Sequence, residues 1–258
     1  MSDCCLIPIL SSQAGVCLTL DNWQQAGVRR GVYHLEALIT KPGMRVLQEF
    51  SDLRSYTAWP GTIILNACLT TVSATGEYLV RSPYDGSVIT ISKKALLELI
   101  DHLRADYVVW PTTTSDESIF RHSTSQFIVP GINHFEDGQS LFYLIGEASL
   151  DEAKALLTPD STTSIWVESD KPASDALQGN IYSSDGVFNL LEPHYRDDFS
   201  PLDDVCCCFT CQEGYTRAYL HHLLQQTPLL AQRFLILHNY TFRSLVACNR
   251  GYSNSGCK

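Results

Sequence analysis

Three cysteines stand almost side by side at Cys206, Cys208 and Cys211, in the pattern C-x-C-x-x-C, and His238 follows Cys211 after 26 intervening residues. Three thiolates this close repel one another unless a cation neutralises them. A tight loop can wrap such sulfurs around one Zn²⁺, and an imidazole presented from a helix completes the tetrahedron. Four protein ligands leave no open position, so the ion is expected to be structural rather than catalytic. Its binding energy would hold together a short segment with little core of its own. On spacing alone Cys207 competes as a ligand, and His221 and His222 stand as alternatives to His238, although a helix-surface histidine is more often solvated.

The elements that must position these ligands are two helices after a boundary near Ser200. One runs roughly from Tyr215 to Leu224. The next begins at Pro228, a suitable first-turn residue, with Leu230, Phe234 and Leu237 on one stripe. Upstream, strand and helix signals alternate. Gly76–Val80 and Ser87–Ile91 read as strands around the turn Pro83-Tyr84-Asp85-Gly86. Ser92 caps a helix whose Leu96, Leu99, Ile100 and Leu103 share a face. Asp106–Trp110, Leu141–Ile145 and Ile165–Val167 read as buried parallel strands, and Ser149 with Glu152 forms a capping box for a helix ending near Leu157. Thr112–Gln126 and Asp170–Gly179 read as loops. This order predicts an α/β protein, with a barrel among the architectures it allows. The first 60 residues are placed by order alone.

The chain has 258 residues, 45% hydrophobic and 18% charged, which predicts a packed core. No apolar run reaches the roughly 20 residues of a membrane span. The N-terminus lacks the basic region of a secretory signal, so an intracellular, cytoplasmic setting is expected, with cysteines as thiols or metal ligands. The net charge of −10 argues against a nucleic-acid binder held by charge alone. From Ser200 onward, however, five basic residues face three acidic ones, a local +2. Lys93-Lys94 and Arg29-Arg30 read as solvated faces, and Trp59 and Trp110 as core.

Beyond spacing, Asp198-Phe199-Ser200-Pro201-Leu202, Cys206-x-Cys208-x-x-Cys211, Thr216-Arg217-Ala218-Tyr219-Leu220-His221-His222-Leu223 and His238-Asn239 together resemble the zinc subdomain of the tRNA-guanine transglycosylases. Pro172–Gly179 and Ser183–Gly186 resemble the segment that leads into it. The resemblance selects Cys206, Cys208, Cys211 and His238 as the ligands. It implies a (β/α)₈-type barrel over residues 1–199, reduced or irregular because a full barrel typically takes about 250 residues, and a zinc-binding subdomain over 200–258. It also implies a chemistry in which one aspartate attacks the ribose at the tRNA wobble position and a second moves protons on the base.

Position by position, that chemistry is missing. The nucleophile's place, four residues before Pro172, holds Glu168. The second acid's place falls at Asn66, in Leu65-Asn66-Ala67-Cys68-Leu69, and an amide cannot act as a base. Pro111-Thr112-Thr113 replaces a base-binding aspartate. No catalytic residue is therefore expected. Lost acids beside a kept metal motif resemble the accessory subunit of eukaryotic queuine tRNA-ribosyltransferase, which implies pairing with a catalytic subunit as a heterodimer and contact with tRNA through the complex. The alternatives are an active glycosyl transferase using Glu168 as nucleophile, with Asp170 or Asp175 carrying the proton, and a zinc-stabilised tRNA-binding module.

Overall fold

The computed structural model describes residues 4–111, 123–147 and 163–247. Its strands are β1 (Cys4–Ile7), β2 (Arg30–His34), β3 (Thr62–Asn66), β4 (Tyr78–Arg81), β5 (Val88–Ile91), β6 (Tyr107–Val109), β7 (Gln126–Ile128), β8 (Gly131–His134), β9 (Ser140–Ile145), β10 (Thr163–Glu168), β11 (Asn180–Ser183) and β12 (Gly186–Asn189). The helices are α1 (Leu20–Gln25), α2 (Leu35–Leu38), α3 (Met44–Glu49), α4 (Leu53–Thr57), α5 (Lys93–Leu103), α6 (Lys171–Leu177), α7 (Phe209–Gln212), α8 (Arg217–Gln226) and α9 (Pro228–Ala247).

The architecture is mixed α/β. Two four-stranded sheets carry it, one ordered β8-β9-β10-β1 and the other β2-β3-β6-β7, with all pairs parallel except β8–β9. A parallel bridge between Ile9 and Val32 joins them. Side chains alternate along each strand. Ile7, Val32, Ile64, Val109, Ile128, Leu141, Tyr143 and Trp166, drawn from seven strands across both sheets, form one buried cluster. Their neighbours Leu6, Tyr33, Ile63, Leu65, Val108, Ile165 and Val167 face the other way, into a core shared with the helices. The strands are apolar on both faces because both are covered.

The reading of the middle of the chain holds. β4 and β5 pair antiparallel across the expected turn. Ser92 accepts the Ala95 N–H to cap α5, which buries Leu96, Leu99, Ile100 and Leu103. Trp59 and Trp110 are core. α8 and α9 stand where the two C-terminal helices were expected.

Two expectations need correction. Asp170–Gly179 is not a loop: Lys171–Leu177 is helix α6, with Pro172 in its first turn, where the missing N–H does no harm, and with Ala173 and Ala176 buried. Arg30 is not simply solvated: its guanidinium lies 4.7 Å over the Trp166 ring. Beyond those readings, β11 and β12 pair antiparallel through a two-residue turn, and Leu230 on the stripe of α9 is 41% exposed. The helix expected over 149–157, and most of the loop over 112–126, lie outside the described residues.

α9 is part of the main core rather than an appendage. Ala231, Leu235, Leu237 and Tyr240 are buried in the cluster that includes Leu6 and Trp23, and the Tyr240 ring meets Trp23 edge-on at 5.4 Å. No helix of the described residues is long and apolar enough to cross a membrane.

Leu99 on α5 is 1% exposed, so Leu99→Ala is expected to lower unfolding free energy by about 2–5 kcal/mol in urea denaturation. A loss below about 1 kcal/mol would show that α5 is not seated in a packed core.

Candidate functional site

The first site lies between α7, α9 and the β11–β12 hairpin. Cys206, Cys208, Cys211 and His238 bring their ligand atoms within 4.8 Å of one another. Cys206, Cys208 and His238 are buried. A tetrahedral ion with metal–sulfur bonds of about 2.3 Å holds its sulfurs just under 4 Å apart, so the donor set and its spacing fit a zinc-sized soft cation.

The sequence builds this cluster locally. Cys208 is the N-cap of α7, and its sulfur accepts the Cys211 N–H at 3.4 Å. His238 Nδ1 lies 3.4 Å from Cys208 Sγ and 3.3 Å from Cys211 Sγ. Its Nε2 donates to the Tyr182 carbonyl at 2.8 Å. That bond fixes the tautomer, leaving Nδ1 unprotonated and aimed at the sulfurs, as a ligating histidine requires. The sulfurs share protons unequally. Hydrogen bonds from Cys206 and Cys211 bring the Cys208 thiol down to about 4. Cys211, bonded to Cys206 and to the Cys208 thiolate, is pushed up.

The alternatives fall away. His221 is buried and spends Nδ1 on the Leu190 carbonyl at 2.7 Å and Nε2 on Gln225, while His222 is exposed and Cys207 is not among the four. Three supporting residues had no role in the sequence reading. Asn239, fully buried, donates to the carbonyls of Pro172 and Asn180 and accepts the Tyr182 N–H. Asp203 accepts the N–H groups of Ser184 and Val205. Burial, its strongest influence, raises the Asp203 carboxyl, but the N–H groups outweigh it and hold the group below the usual range. Thr210 donates to the Phe234 carbonyl.

The second site surrounds Glu168 at the C-terminal end of β10. Its side chain is 0% exposed. His34 Nε2 meets Oε1 at 2.5 Å, the Asn66 amide reaches Oε1 and Oε2 at 3.0 and 2.9 Å, and the Tyr143 hydroxyl donates to Oε2 at 2.7 Å. Burial, then the Glu168 charge, pushes Tyr143 well up, which keeps it a donor. The same two causes raise Cys68 to about 11. Asn66 thus lies against Glu168, whereas Asp170 bonds Ser12 and Ser174, and Asp175 bonds Lys171 and Tyr182. His34 and Tyr143 were invisible as partners, since nothing in their local sequence marks a strand residue as facing Glu168.

Residues 167–248 match the family model described as queuine tRNA-ribosyltransferase. This C-terminal part of the chain is similar to the tRNA-guanine transglycosylase family. The queuine tRNA-ribosyltransferase of Francisella tularensis subsp. novicida (strain U112) is 42% identical over 71 residues, 28% of this chain and 19% of that protein. That of Shewanella halifaxensis (strain HAW-EB4) is 41% identical over 71 residues, with the same shares. The match therefore spans about a fifth of the length of these transglycosylase relatives. The family-model match over 167–248 includes all four metal-cluster residues, Glu168 and Asn239.

Two outcomes follow. Metal analysis of the purified chain should give one zinc per chain, lost on acidification because protons compete for thiolate and imidazole; His238→Ala should abolish retention. Asn66→Asp would set a second carboxyl against Glu168, raising the pKa of the pair. A raised acid pKa makes the folded state bind the extra proton, so this variant should lose stability as pH rises, by about 3–5 kcal/mol at neutrality. A flat difference from wild type between pH 4 and 8 would contradict it.

Proposed function

We propose that the chain is a non-catalytic accessory subunit of a queuine tRNA-ribosyltransferase, pairing in the cytoplasm with a catalytic subunit that exchanges guanine for queuine at the tRNA wobble position. The observation that carries this reading is the state of Glu168. A carboxylate nucleophile must present a free lone pair to the ribose carbon. Here both oxygens are held by His34, Asn66 and Tyr143, and no part of the side chain reaches solvent. Asn66, in the second acid's place, offers an amide where a proton carrier is needed.

The scaffold supports the same view. The two sheets, joined at Ile9–Val32 and sharing the inner cluster, read as a reduced (β/α)₈ barrel with seven parallel strands and one antiparallel strand, β8. Residues 1–199 form that barrel and 200–258 the zinc subdomain. The ion, held by Cys206, Cys208, Cys211 and His238, is structural, because four protein ligands leave no coordination site for a substrate. In the same part of the chain Phe199, Val205, Tyr219, Leu229 and Leu230 are exposed, apolar residues of the kind that protein contacts use. A net charge of −10 favours a protein partner over a lone tRNA-binding module.

Co-expression with a catalytic queuine tRNA-ribosyltransferase subunit should give a complex stable to gel filtration. Cys208→Ser should lose both zinc and the complex, and the purified chain alone should exchange no base. Base exchange by the isolated chain that disappears in Glu168→Gln would instead establish the glycosyl-transferase reading. Tight, salt-sensitive tRNA binding by the isolated chain would establish the binding-module reading.

A further inference from the structure

The two sites are linked by one helix, and the link is made of hydrogen bonds that neither site needs for its own geometry. Along α9, His238 belongs to the metal cluster, and the following residues reach elsewhere. Tyr240 donates from its hydroxyl to the Leu6 carbonyl at 2.5 Å. Leu6 precedes Ile7, which pairs with Glu168 across β1–β10 and accepts the Ser169 N–H at 3.0 Å. Arg243 places Nε and Nη2 on Glu147 Oε2, each at 2.7 Å. The other oxygen of Glu147 accepts the Ser169 hydroxyl at 2.7 Å. Gly146, next to Glu147, donates its N–H to the Glu168 carbonyl at 2.7 Å. The backbone around Glu168 is therefore held from α9 on two sides.

We infer that metal binding at His238 and the ordering of the buried Glu168 network are coupled through α9, with Tyr240 and Arg243 as the positioning residues that carry the coupling. The ion fixes the register and rotation of α9 through His238. A 20-residue helix seated in the core transmits that constraint along its length, because packed elements shift as units. Tyr240 then pins β1, and Arg243 pins the turn after β9. Thermodynamic coupling is reciprocal: if the ion orders the strand ends, loosening the ties at the strand ends must weaken the ion.

The inference rests on the zinc reading, and the experiment separates the two. Zinc affinity of the full chain is measured by chelator competition for wild type, Tyr240→Phe, Arg243→Ala and Arg243→Lys. Leu99→Ala serves as a control that lowers stability without touching α9's ties. Hydrogen–deuterium exchange is followed with and without chelator. Expected are an affinity about 5-fold weaker in Tyr240→Phe and in Arg243→Ala, partial rescue in Arg243→Lys, no change in Leu99→Ala, and faster exchange over residues 4–7 and 163–169 when zinc is removed from wild type. Equal affinity in all variants, an equal weakening in Leu99→Ala, or exchange rising only between residues 203 and 216 overturns the inference while leaving the zinc reading intact. A chain that holds no zinc overturns both.

Discussion

A charge with no access to water is the constraint around which this chain is arranged. Moving a carboxylate out of water costs several kcal/mol unless donors replace its hydration. Glu168 obtains them from three other strands: His34 ends β2, Asn66 ends β3, and Tyr143 lies in β9. Since β2 and β3 belong to one sheet and β9 and β10 to the other, the carboxylate fastens the two sheets at the end where β1 and β2 share only an isolated bridge. Removing a donor would leave the charge buried and short of a partner, which is why such a network tolerates little change.

The metal cluster obeys the same rule, with a cation in place of hydrogen-bond donors. Cys206, Cys208 and Cys211 concentrate negative charge in a buried space, and His238 adds a neutral nitrogen oriented by Tyr182. Next to it, Asn239 ties the backbone of β11 and the first turn of α6 to the same helix. The His238-Asn239 pair thus uses one residue for the ion and one for the frame that holds the ion's surroundings.

How much of this was readable in the sequence depended on how local the determinants were. α5 was legible because its cap, its apolar face and its length lie within about a dozen residues. The cysteine–histidine cluster was legible because three of its four members fall within six positions and thiols have few other reasons to cluster. α6 was missed because Pro172 and small residues read as a loop until α9 is there to pack against Ala173 and Ala176. β1 and β2 are too short to signal on their own. The Glu168 network was legible only in outline: a family motif named Glu168 and Asn66 separately, but their contact spans 102 positions, and His34 lies 134 positions from its partner. Pairings at that distance are set by the closing of the sheets, which no local pattern encodes.

The same long-range closure decides which of two roles a buried carboxylate can fill. A nucleophile works because its environment leaves it reactive, with a lone pair unspent and room for a substrate. A structural carboxylate works because every lone pair is spent. The two demands conflict at one position, and the extra methylene of glutamate over aspartate lengthens the side chain enough to reach partners across the strand ends. Once His34, Asn66 and Tyr143 had taken those oxygens, selection at this position would act on sheet closure rather than on reaction rate. The cysteines and His238 face no such conflict, because a closed tetrahedral site of four protein ligands has no position to give to a substrate. Their persistence beside a sealed carboxylate is what these two roles lead one to expect.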